Sequence, residues 1–428
     1  PLDLTQTIPK NDIAYPVHHL VESIPEEAFE HLKHQRGASS YHPRMMLKII
    51  LCAYTQSVFS GRRIEALLQD SLRMMWLAQG YQPSYRTINR FRVDEAVQPL
   101  LRECFVQFRS QLIAENEIDE EAIFIDGTKI EANANKFTFV WRKSVERYHQ
   151  KLEEKSLAAY HELVEEKIIP ALQTEVEGNL SKENIQTILT SLEQTIEELN
   201  QKMADEPCGA IRKDLRFERK APKLFYNHFT SHQERVLTYE KHYQILGKRN
   251  SYSKTDTDAT FMRMKDDSMM NGQLKAGYNL QIATNNQYIL GYDVFPNPTD
   301  TRTLTPFLST LKKEYFPLPE FIVADAGYGS EENYMNVLEK FQSTPLITYG
   351  MYEKEQKKKY KNNPFQVNNW DYDEMSNQFI CPEGRKLNFK YNGIRNDKYG
   401  FTRHISYYEC EDCSNCPVRS LCTKAQEG

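Results

Sequence analysis

The sequence predicts an α/β protein with a helical N-terminal region, a mixed-sheet core interrupted by a large helical insertion, and a small cysteine-rich C-terminal module. Apolar residues recur at helical spacing over residues 43–115 and again over 141–205. Two short apolar runs, 122–125 and 321–324, each lead into an aspartate and then a glycine, which is typical of buried strands followed by turns. Five of the eight cysteines lie between Cys381 and Cys422.

The composition limits the classes of protein that the chain can represent. Its 428 residues are 40% hydrophobic and 26% charged, which is ordinary for a globular protein of two or three domains. The net charge of -5 excludes a polycation, so any nucleic-acid surface must be local. Residues 36–110 and 210–250 are basic islands, with eleven Lys or Arg against five Asp or Glu and ten against four. We find no signal-peptide pattern and no apolar run of about 18 residues, so no membrane span is predicted.

The first 115 residues are predicted to form a helical domain. A short arm and a helix near 26–33 precede a helix that begins at Pro43, a residue suited to a first helical turn. One face of this helix carries Met45, Met46, Ile49, Ile50 and Tyr54. Helices over 62–68 and 84–92 follow, and the last carries Arg86, Arg90 and Arg92, an order typical of a helix-turn-helix module. An ordinary helical domain with a basic face fits the same pattern.

Residues 141–205 are predicted to form an amphipathic helix pair inserted into the core. Leucines and isoleucines at spacings of three and four predict an antiparallel coiled-coil hairpin. The basic island at 210–250 interleaves cations with Phe225, Tyr226 and Phe229. These aromatic residues fit either stacking on nucleic acid or packing onto the hairpin.

Strand patterns return after the insertion. Residues 278–283 and 288–294 flank Asn285 and Asn286, which predicts a β-hairpin. A helix over 303–315, the strand 321–324, a helix over 331–341 and a strand over 346–349 follow in order. This order makes the strands before Asp126 and Asp325 central strands of a mixed sheet. The lysine-rich residues 354–361 are expected to form a mobile basic loop.

Asp126 and Asp325 are the candidate catalytic residues, and each is expected to end its strand. Two neighbouring carboxylates favour a bound cation, and Mg²⁺ prefers hard oxygen ligands while keeping positions open for phosphate. Two such ions about 4 Å apart would activate a water or sugar hydroxyl and stabilise the leaving oxygen of a phosphodiester. The alternative is that each aspartate caps the turn after its strand.

The cysteine cluster is a candidate zinc site. Thiolates two residues apart can converge on one tetrahedral Zn²⁺. The predicted ligands are Cys410, Cys413, Cys416 and Cys422, with Cys381 of a Cys-Pro-Glu-Gly turn as an alternate ligand. Reduced structural thiols are the alternative. Cys52 and Cys104 are predicted to be core residues on helices.

Taken in order, these motifs resemble bacterial insertion-sequence transposases of the DDE class. The resemblance rests on residues 124–133 (FIDGTKIEAN), 253–260 (SKTDTDAT), 275–281 (KAGYNLQ), 323–329 (VADAGYG) and 381–384 (CPEG) with the cysteines that follow. It implies a helical DNA-binding domain over 1–115, an RNase H-like core over 116–350 with an insertion at 138–250, and a basic, cysteine-rich segment over 351–428. It also implies DNA strand cleavage and transfer dependent on Mg²⁺ or Mn²⁺, with Asp126 and Asp325 as the first two acids.

The resemblance implies partners as well. Terminal inverted repeats and target DNA would be bound by a homodimer in the bacterial cytoplasm, at the nucleoid, with no membrane partner. Arg86, Arg90 and Arg92 are predicted to contact this DNA. Lys254, Lys265 and Lys275 are predicted to contact substrate phosphates.

The chain departs from the family pattern at the third acid, a helical Glu that follows the cysteine region in such enzymes. The sequence ends six residues after Cys422, and Glu331 and Glu332 are poor substitutes by position. We therefore expect a C-terminally truncated chain that does not catalyse transposition by itself. Two rival functions remain: a catalytically inactive remnant that binds element ends as a repressor, and a nuclease that cuts DNA without joining ends.

Overall fold

The computed structural model describes residues 7–32, 41–172, 178–265, 272–397 and 399–423. The chain divides into two compact units. The first contains residues 1–126, 281–293 and 300–428, and the second contains residues 127–280 and 294–299. None of the helices formed by the described residues combines the length and apolar character needed to cross a bilayer.

Among the described residues, six helices and a short 3₁₀ helix form the N-terminal part of the first unit. They are α1 (Ala14–Ser23), the 3₁₀ helix Glu26–Leu32, α2 (Pro43–Thr55), α3 (Gly61–Asp70), α4 (Leu72–Leu77), α5 (Tyr85–Arg92) and α6 (Val97–Ala114). Helix α1 was not predicted, and the expectation of an extended arm before the helix near 26–33 is wrong over Ala14–Ser23. Residues 1–6 of the predicted arm lie outside the described residues.

Helix α2 begins at Pro43 as predicted, and Ser84 caps α5 by accepting a hydrogen bond from the Thr87 amide. Met45, Met46, Ile49 and Ile50 of α2 belong to the helical core. Tyr54 does not, because it is 38% exposed and lies against Phe59 with ring centroids 5.2 Å apart. Cys52 and Cys104 are buried on helices as predicted.

A six-stranded mixed sheet carries the candidate site. Its strands are β1 (Ala122–Glu131), β4 (Thr260–Arg263), β5 (Leu274–Asn285), β6 (Tyr288–Phe295), β7 (Phe321–Ala324) and β8 (Thr344–Ile347). They are arranged in the order β4-β5-β1-β7-β8, with β6 beside β5. Strands β1, β7 and β8 are parallel, and Asn286 and Gln287 form the β5–β6 turn with positive φ angles. The β5–β6 hairpin, the mixed sheet and its two central strands are as predicted.

Strand β1 is longer than predicted. The expectation that it ends at Asp126 is wrong, because the strand continues to Glu131 and Gly127 does not adopt a positive φ. The alternation through Thr128 and Ile130 continues the strand pattern, and the amide of Ala132 still donates to the carbonyl of Ala276. Asp126 therefore lies within a ten-residue strand.

The remaining elements of the core follow the predicted order with shifted ends. Helix α11 (Leu304–Glu314) precedes β7, and α12 (Glu331–Met335) continues into a π-helical turn over Asn336–Lys340 before β8. Strand β8 starts two residues earlier than expected. Helix α6 packs against this core, where the ring of Phe105 lies 5.4 Å from that of Tyr292 and the Arg109 guanidinium lies over the Phe316 ring.

The insertion forms three long helices in the second unit. They are α7 (Arg142–Glu165), α8 (Lys182–Asp205) and α10 (Lys220–Leu246), with the short α9 (Gly209–Glu218) before α10. Strand β2 (Phe139–Trp141), which precedes α7, pairs antiparallel with β3 (Ser251–Ser253), which follows α10. The two-helix hairpin prediction is incomplete, because Phe225 and Phe229 of α10 join the apolar core of α7 and α8. Of the two alternatives for Phe225 and Phe229, stacking on nucleic acid or packing onto the hairpin, the structure shows packing.

The last part of the first unit is a four-stranded antiparallel sheet that was not predicted. Strands β9 (Asp371–Asp373), β10 (Gln378–Ile380), β11 (Lys386–Asn396) and β12 (Thr402–Cys410) pair in the order β12-β11-β10-β9. A short α15 (Arg419–Cys422) follows. Residues 354–361, expected to be a loop, lie largely in the short helices α13 (Tyr352–Gln356) and α14 (Lys358–Lys361). We call residues 370–423 the cysteine module.

Candidate active site

The parallel register of β1 and β7 brings Asp126 and Asp325 to equivalent positions. Ile125 lies opposite Ala324 in the last pair of the ladder, and each aspartate is the next residue of its strand's chain. The buried side chains of Ile123, Ile125 and Ile322 anchor both strands. Both aspartates are exposed. Two carboxylates are thereby held at one edge of a rigid support.

Asp325 also caps the turn that follows its strand. Its Oδ1 accepts a hydrogen bond of 2.8 Å from the Gly327 amide at the start of the 3₁₀ turn Ala326–Tyr328. The alternative that each aspartate caps the turn after its strand therefore holds for Oδ1 of Asp325. A carboxylate fixed in this way keeps one orientation, which suits a ligand that must bind without reorganising.

Asp300 is a third acid at this site that the sequence did not single out. It lies in the short 3₁₀ turn Asp300–Arg302 before α11, and its Oδ1 accepts a hydrogen bond of 3.3 Å from Gln281 Nε2. The Thr301 hydroxyl donates to the Gly327 carbonyl at 2.8 Å, which ties this turn to the loop after Asp325. An Asp followed by two threonines before a helix is the ordinary pattern of a helix cap, so nothing in the sequence distinguished it.

Tyr328 lies at the base of the acidic cluster. It is 1% exposed, and its hydroxyl donates to Oε1 of the fully buried Gln281. Burial, followed by the negative charges of Asp300, Asp126 and Asp325, raises the pKa of Tyr328 far above its ordinary value. The negative charges of all three carboxylates therefore act on the same phenol.

Glu331 and Glu332 are both occupied in ion pairs. Glu332 accepts from Arg302 at 2.6 Å, and Glu331 accepts from Arg403 at 2.9 Å. Arg302 also pairs with Asp397 at 3.0 Å, which connects the turn after Asp300 to the β11–β12 hairpin. Within the described ranges, no three His, Cys, Asp or Glu side chains converge closely enough to hold a metal ion as they stand.

The predicted DNA-contacting residues differ in their surroundings. Arg86 and Arg90 are exposed on α5. Arg92 is half-buried and donates to the Phe59 carbonyl, so it also stabilises the turn before α3. Of the three predicted lysines in the second unit, Lys254 and Lys265 are exposed, whereas Lys275 pairs with Glu131 at 2.7 Å.

All five cysteines of the module line one small cavity of about 50 Å³. The Arg385 amide lies 3.3 Å from Cys381 Sγ, and the Cys410 thiol lies 3.7 Å from the Asp412 carbonyl oxygen. Hydrogen bonding to Cys410, followed by burial, raises the pKa of Cys413 to about 11. The structure brings the alternate ligand Cys381 to the same cavity as the four predicted ones.

Two family models match the chain. A transposase domain (DUF772) matches residues 2–94, and a transposase DDE domain matches residues 249–406. Together the two matches cover more than half of the 428 residues. The chain belongs to the insertion-sequence transposases of the DDE class. Neither a curated protein nor a solved structure matches it.

The two matched domains agree with the observed architecture. Their ranges include some of the candidate residues and leave others outside. A transposase of this class acts on DNA, and its DDE domain belongs to a family of DNA-cleaving and strand-transfer enzymes that use divalent metal. The mixed sheet is the RNase H-like core of that domain. Asp300 and Asp325 lie inside the matched DDE range, and Arg86, Arg90 and Arg92 lie inside the matched N-terminal range. Asp126 and the cysteines from Cys410 onward lie outside both ranges.

Proposed function

We propose that this transposase binds the terminal inverted repeats of an insertion sequence and cleaves and joins DNA strands at Asp126 and Asp325. The observation that carries the proposal is the parallel register of β1 and β7, whose last pair, Ile125 with Ala324, directly precedes both acids. Carboxylate oxygens at one sheet edge fit Mg²⁺ or Mn²⁺, which keep other positions open for phosphate. When bound, these ions supply Lewis-acid stabilisation of the phosphodiester and a lowered pKa for the attacking hydroxyl.

The chain's own contribution is to hold the two carboxylates in place. The hydrogen bond from Gly327 fixes one oxygen of Asp325, and the buried neighbours of Asp126 fix the strand from which it projects. Removing either charge would leave the remaining carboxylate unable to neutralise the metal ions. Both acids are therefore required for cleavage in this proposal.

DNA recognition is assigned to the helical domain over residues 1–115, and catalysis to the core over 116–350 outside the insertion. Exposed Arg86 and Arg90 on α5 suit contacts to the duplex, and exposed Lys254 and Lys265 suit contacts to substrate phosphates. Arg92 and Lys275 are assigned the same role, although Arg92 also donates to the Phe59 carbonyl and Lys275 pairs with Glu131. A homodimer on DNA follows from the need to hold two element ends, and the expected location is the bacterial nucleoid.

We also propose that Zn²⁺, a different metal from the one at the carboxylates, binds in the cysteine module. None of the described residues from 351 to 423 is fully buried, so this segment has no hydrophobic core to stabilise it. Small modules of this kind are commonly held by a structural metal. Five thiols around one cavity, in a chain with free cysteines throughout its described residues, provide the ligands.

The candidate zinc ligands in this proposal are Cys410, Cys413, Cys416 and Cys422, with Cys381 as the alternate ligand, and all five cysteines line the same cavity.

The test is an Mg²⁺-dependent assay on duplex DNA that carries the terminal repeat of the element encoding this chain, with binding measured in parallel. Wild-type protein is compared with Asp126→Asn, Asp325→Asn and the control Asp371→Asn, whose side chain is exposed on β9. The proposal predicts cleavage that both site variants lose by at least about 10³-fold while repeat binding is retained. Repeat binding without cleavage in the wild type would agree with the expectation that this chain does not catalyse transposition by itself, and would favour the repressor. Cleavage that survives Asp126→Asn would contradict the active-site assignment.

A further inference from the structure

We infer that the insertion carries a DNA-binding surface of its own, which contacts the phosphate backbone of duplex DNA without reading its sequence. It is formed by four cations of α9 and the start of α10, Arg212, Arg216, Lys220 and Lys223, which we call the cationic stripe. The inference rests on the proposed function only in that the chain binds DNA. Residues 209–223 lie outside both matched ranges, and the proposed function assigns them no part.

The cationic stripe follows one side of an almost continuous helix. The Arg219 amide donates to the Leu215 carbonyl at 3.0 Å, and the Lys223 amide donates to the Arg219 carbonyl at 3.3 Å, so helical hydrogen bonds cross the junction of α9 and α10. At about 100° per residue, the four stripe residues lie within about 80° of one another around the helix. They therefore form a single row about 16 Å long.

Charges around this helix are separated by sign. Residues 209–223 contain six Lys or Arg and two Asp or Glu. The two acids, Asp214 and Glu218, lie about 160° around the helix from the middle of the stripe. Neighbours within the stripe are three or four residues apart and carry like charges, which destabilises a helix in the free protein. An anionic partner along the row would relieve this repulsion.

The chain itself does not neutralise the stripe. All four side chains are exposed, and none of them belongs to an ion pair among the described residues. Arg212 donates to the neutral Pro207 carbonyl at 3.4 Å. Glu193 of α8 lines a groove together with Lys223, but it accepts from the Tyr226 hydroxyl at 2.6 Å. The stripe therefore presents uncompensated positive charge to the solvent.

The core of the insertion holds the stripe in position. Arg219 donates to Asn200 Oδ1 of α8, and Phe225 and Phe229 of α10 are buried in the core that α10 shares with α7 and α8. None of the residues of α9 is itself buried, so packing does not explain why its cations share one side.

The length and charge of the stripe match a strand of duplex DNA. One DNA strand carries a phosphate about every 3.4 Å along the helix axis, so a row of about 16 Å runs past about five phosphates. A row of cations on a fixed helix is the electrostatic footprint expected of a surface that binds nucleic acid. Contacts to phosphates alone carry no sequence information, so this surface adds affinity without specificity.

The experiment measures binding of the full chain to two duplexes, one with the terminal repeat and one of unrelated sequence, by fluorescence anisotropy at several salt concentrations. The stripe variant combines Arg212→Gln, Arg216→Gln, Lys220→Gln and Lys223→Gln. We expect its slope of log affinity against log salt to be smaller by about three to four units, because each lost phosphate contact removes about 0.9 unit. Affinity is expected to fall by the same factor on both duplexes.

A matched control removes four positive charges from exposed positions of the insertion outside the stripe. It combines Lys143→Gln, Lys151→Gln, Lys155→Gln and Lys202→Gln. Because both variants change the net charge equally, a general effect of the protein's field would alter both alike. We expect the control to keep the wild-type slope within about one unit, and both variants to keep the wild-type melting temperature.

A second measurement does not depend on removing charge. Phe217 is 74% exposed, and its ring centroid lies 5.3 Å from Lys220 Nζ. A photo-crosslinking benzoylphenylalanine in place of Phe217 is expected to crosslink to either duplex. The same group in place of Tyr148, which is 51% exposed on α7, is the control and is expected not to crosslink.

The outcomes separate this inference from the proposed function. A stripe variant with the slope of the wild type or of the control, beside a lowered slope in Arg86→Ala, would overturn the inference and leave DNA recognition by α5 intact. A wild-type chain that binds neither duplex would overturn both. An altered oligomeric mass of the stripe variant with unchanged DNA binding would assign the stripe to a second copy of the chain and overturn the inference. If the stripe variant does not fold, the crosslink decides, and no crosslink from position 217 would overturn the inference.

Discussion

The catalytic strands and the cysteine module stabilise their candidate metal ligands in opposite ways. Around Asp126 and Asp325, the ladder residues Ile123, Ile125 and Ile322 are all buried. In the described part of the chain from 351 to 423, no residue is fully buried, although Phe379 and Tyr408 pack edge to face at 4.8 Å. The core holds its carboxylates through buried side chains, whereas the described part of the module relies on strand hydrogen bonds, partly exposed aromatic contacts and, in our proposal, its thiols.

This difference suits the two kinds of metal chemistry. A catalytic Mg²⁺ site must exchange substrate and product, so its ligands must be positioned by the protein rather than by the ion. A structural Zn²⁺ site supplies folding free energy and keeps all four positions closed. Oxygen ligands beside buried strand residues and sulfur ligands in a module without fully buried described residues match these requirements.

The largest expected effect is the loss of zinc from the cysteine module. Cys416→Ser is expected to abolish zinc binding and to make trypsin cleavage at Arg385 and Lys386 at least about 10-fold faster, because the module then opens locally. Zinc content by elemental analysis and the cleavage rate check this prediction. Cys208→Ser, an exposed cysteine outside the module, is the matched control. Full zinc content in Cys416→Ser would contradict the ligand set.

A second prediction compares cavity formation in the two regions. Ile322→Ala removes a fully buried side chain of β7 and is expected to lower the free energy of unfolding by about 2 to 5 kcal/mol. Ile394→Ala, at a side chain of β11 that is 68% exposed, is expected to change it by less than about 0.5 kcal/mol. Urea denaturation measures both. Equal losses would show that the module is held by packing after all.

A third prediction concerns a surface on which neither metal acts. Arg86→Ala and Arg90→Ala are each expected to lower the salt dependence of repeat-DNA binding by about one unit of slope, because each removes a phosphate contact. Fluorescence anisotropy at several salt concentrations gives the slopes. Lys313→Ala, whose side chain is 82% exposed on α11, is the control. Slopes identical to the wild type would argue against α5 as the DNA-binding helix.

The smallest expected effect is at the contact between the module's hairpin and the turn after Asp300. Partial burial opposes ionisation of Asp397, but hydrogen bonds from Arg302 and from the amides of Tyr399 and Phe401 outweigh it and lower the pKa of Asp397 to about 2. A carboxyl with a lowered folded pKa stabilises the fold above its ordinary value of 3.8 and loses this contribution as pH falls toward 2. The protection factors of the amides at residues 399–402, which are exchange rates corrected for the intrinsic effect of pH, are therefore expected to fall between pH 4 and pH 2. Asp397→Asn should lower them already at neutral pH, and protection factors unaffected by either change would exclude this contact.

The sequence predicted the elements whose burial follows a simple period. Pro43 and an apolar face predicted helix α2. Uninterrupted apolar runs before Asp126 and Asp325 predicted the two central strands. Strands β11 and β12 were missed although Leu387, Phe389 and Tyr391 alternate with polar residues in β11, because neither strand contains a fully buried side chain and most of their other residues are polar. The position of Asp300 near Asp325 was not predicted, because its hydrogen bond from Gln281 is formed through the fold rather than with neighbouring sequence.

The most direct test of the account measures both metals in the same preparations of wild type, Asp126→Asn, Asp325→Asn and Cys416→Ser. Zinc is quantified by elemental analysis, and Mn²⁺ affinity by paramagnetic resonance. The account predicts that both aspartate variants keep zinc but lose Mn²⁺ affinity, while Cys416→Ser loses zinc and keeps Mn²⁺ affinity. Loss of both metals in any one variant would contradict the claim that the chain has two separate metal sites. The same claim would be contradicted if every variant kept both metals.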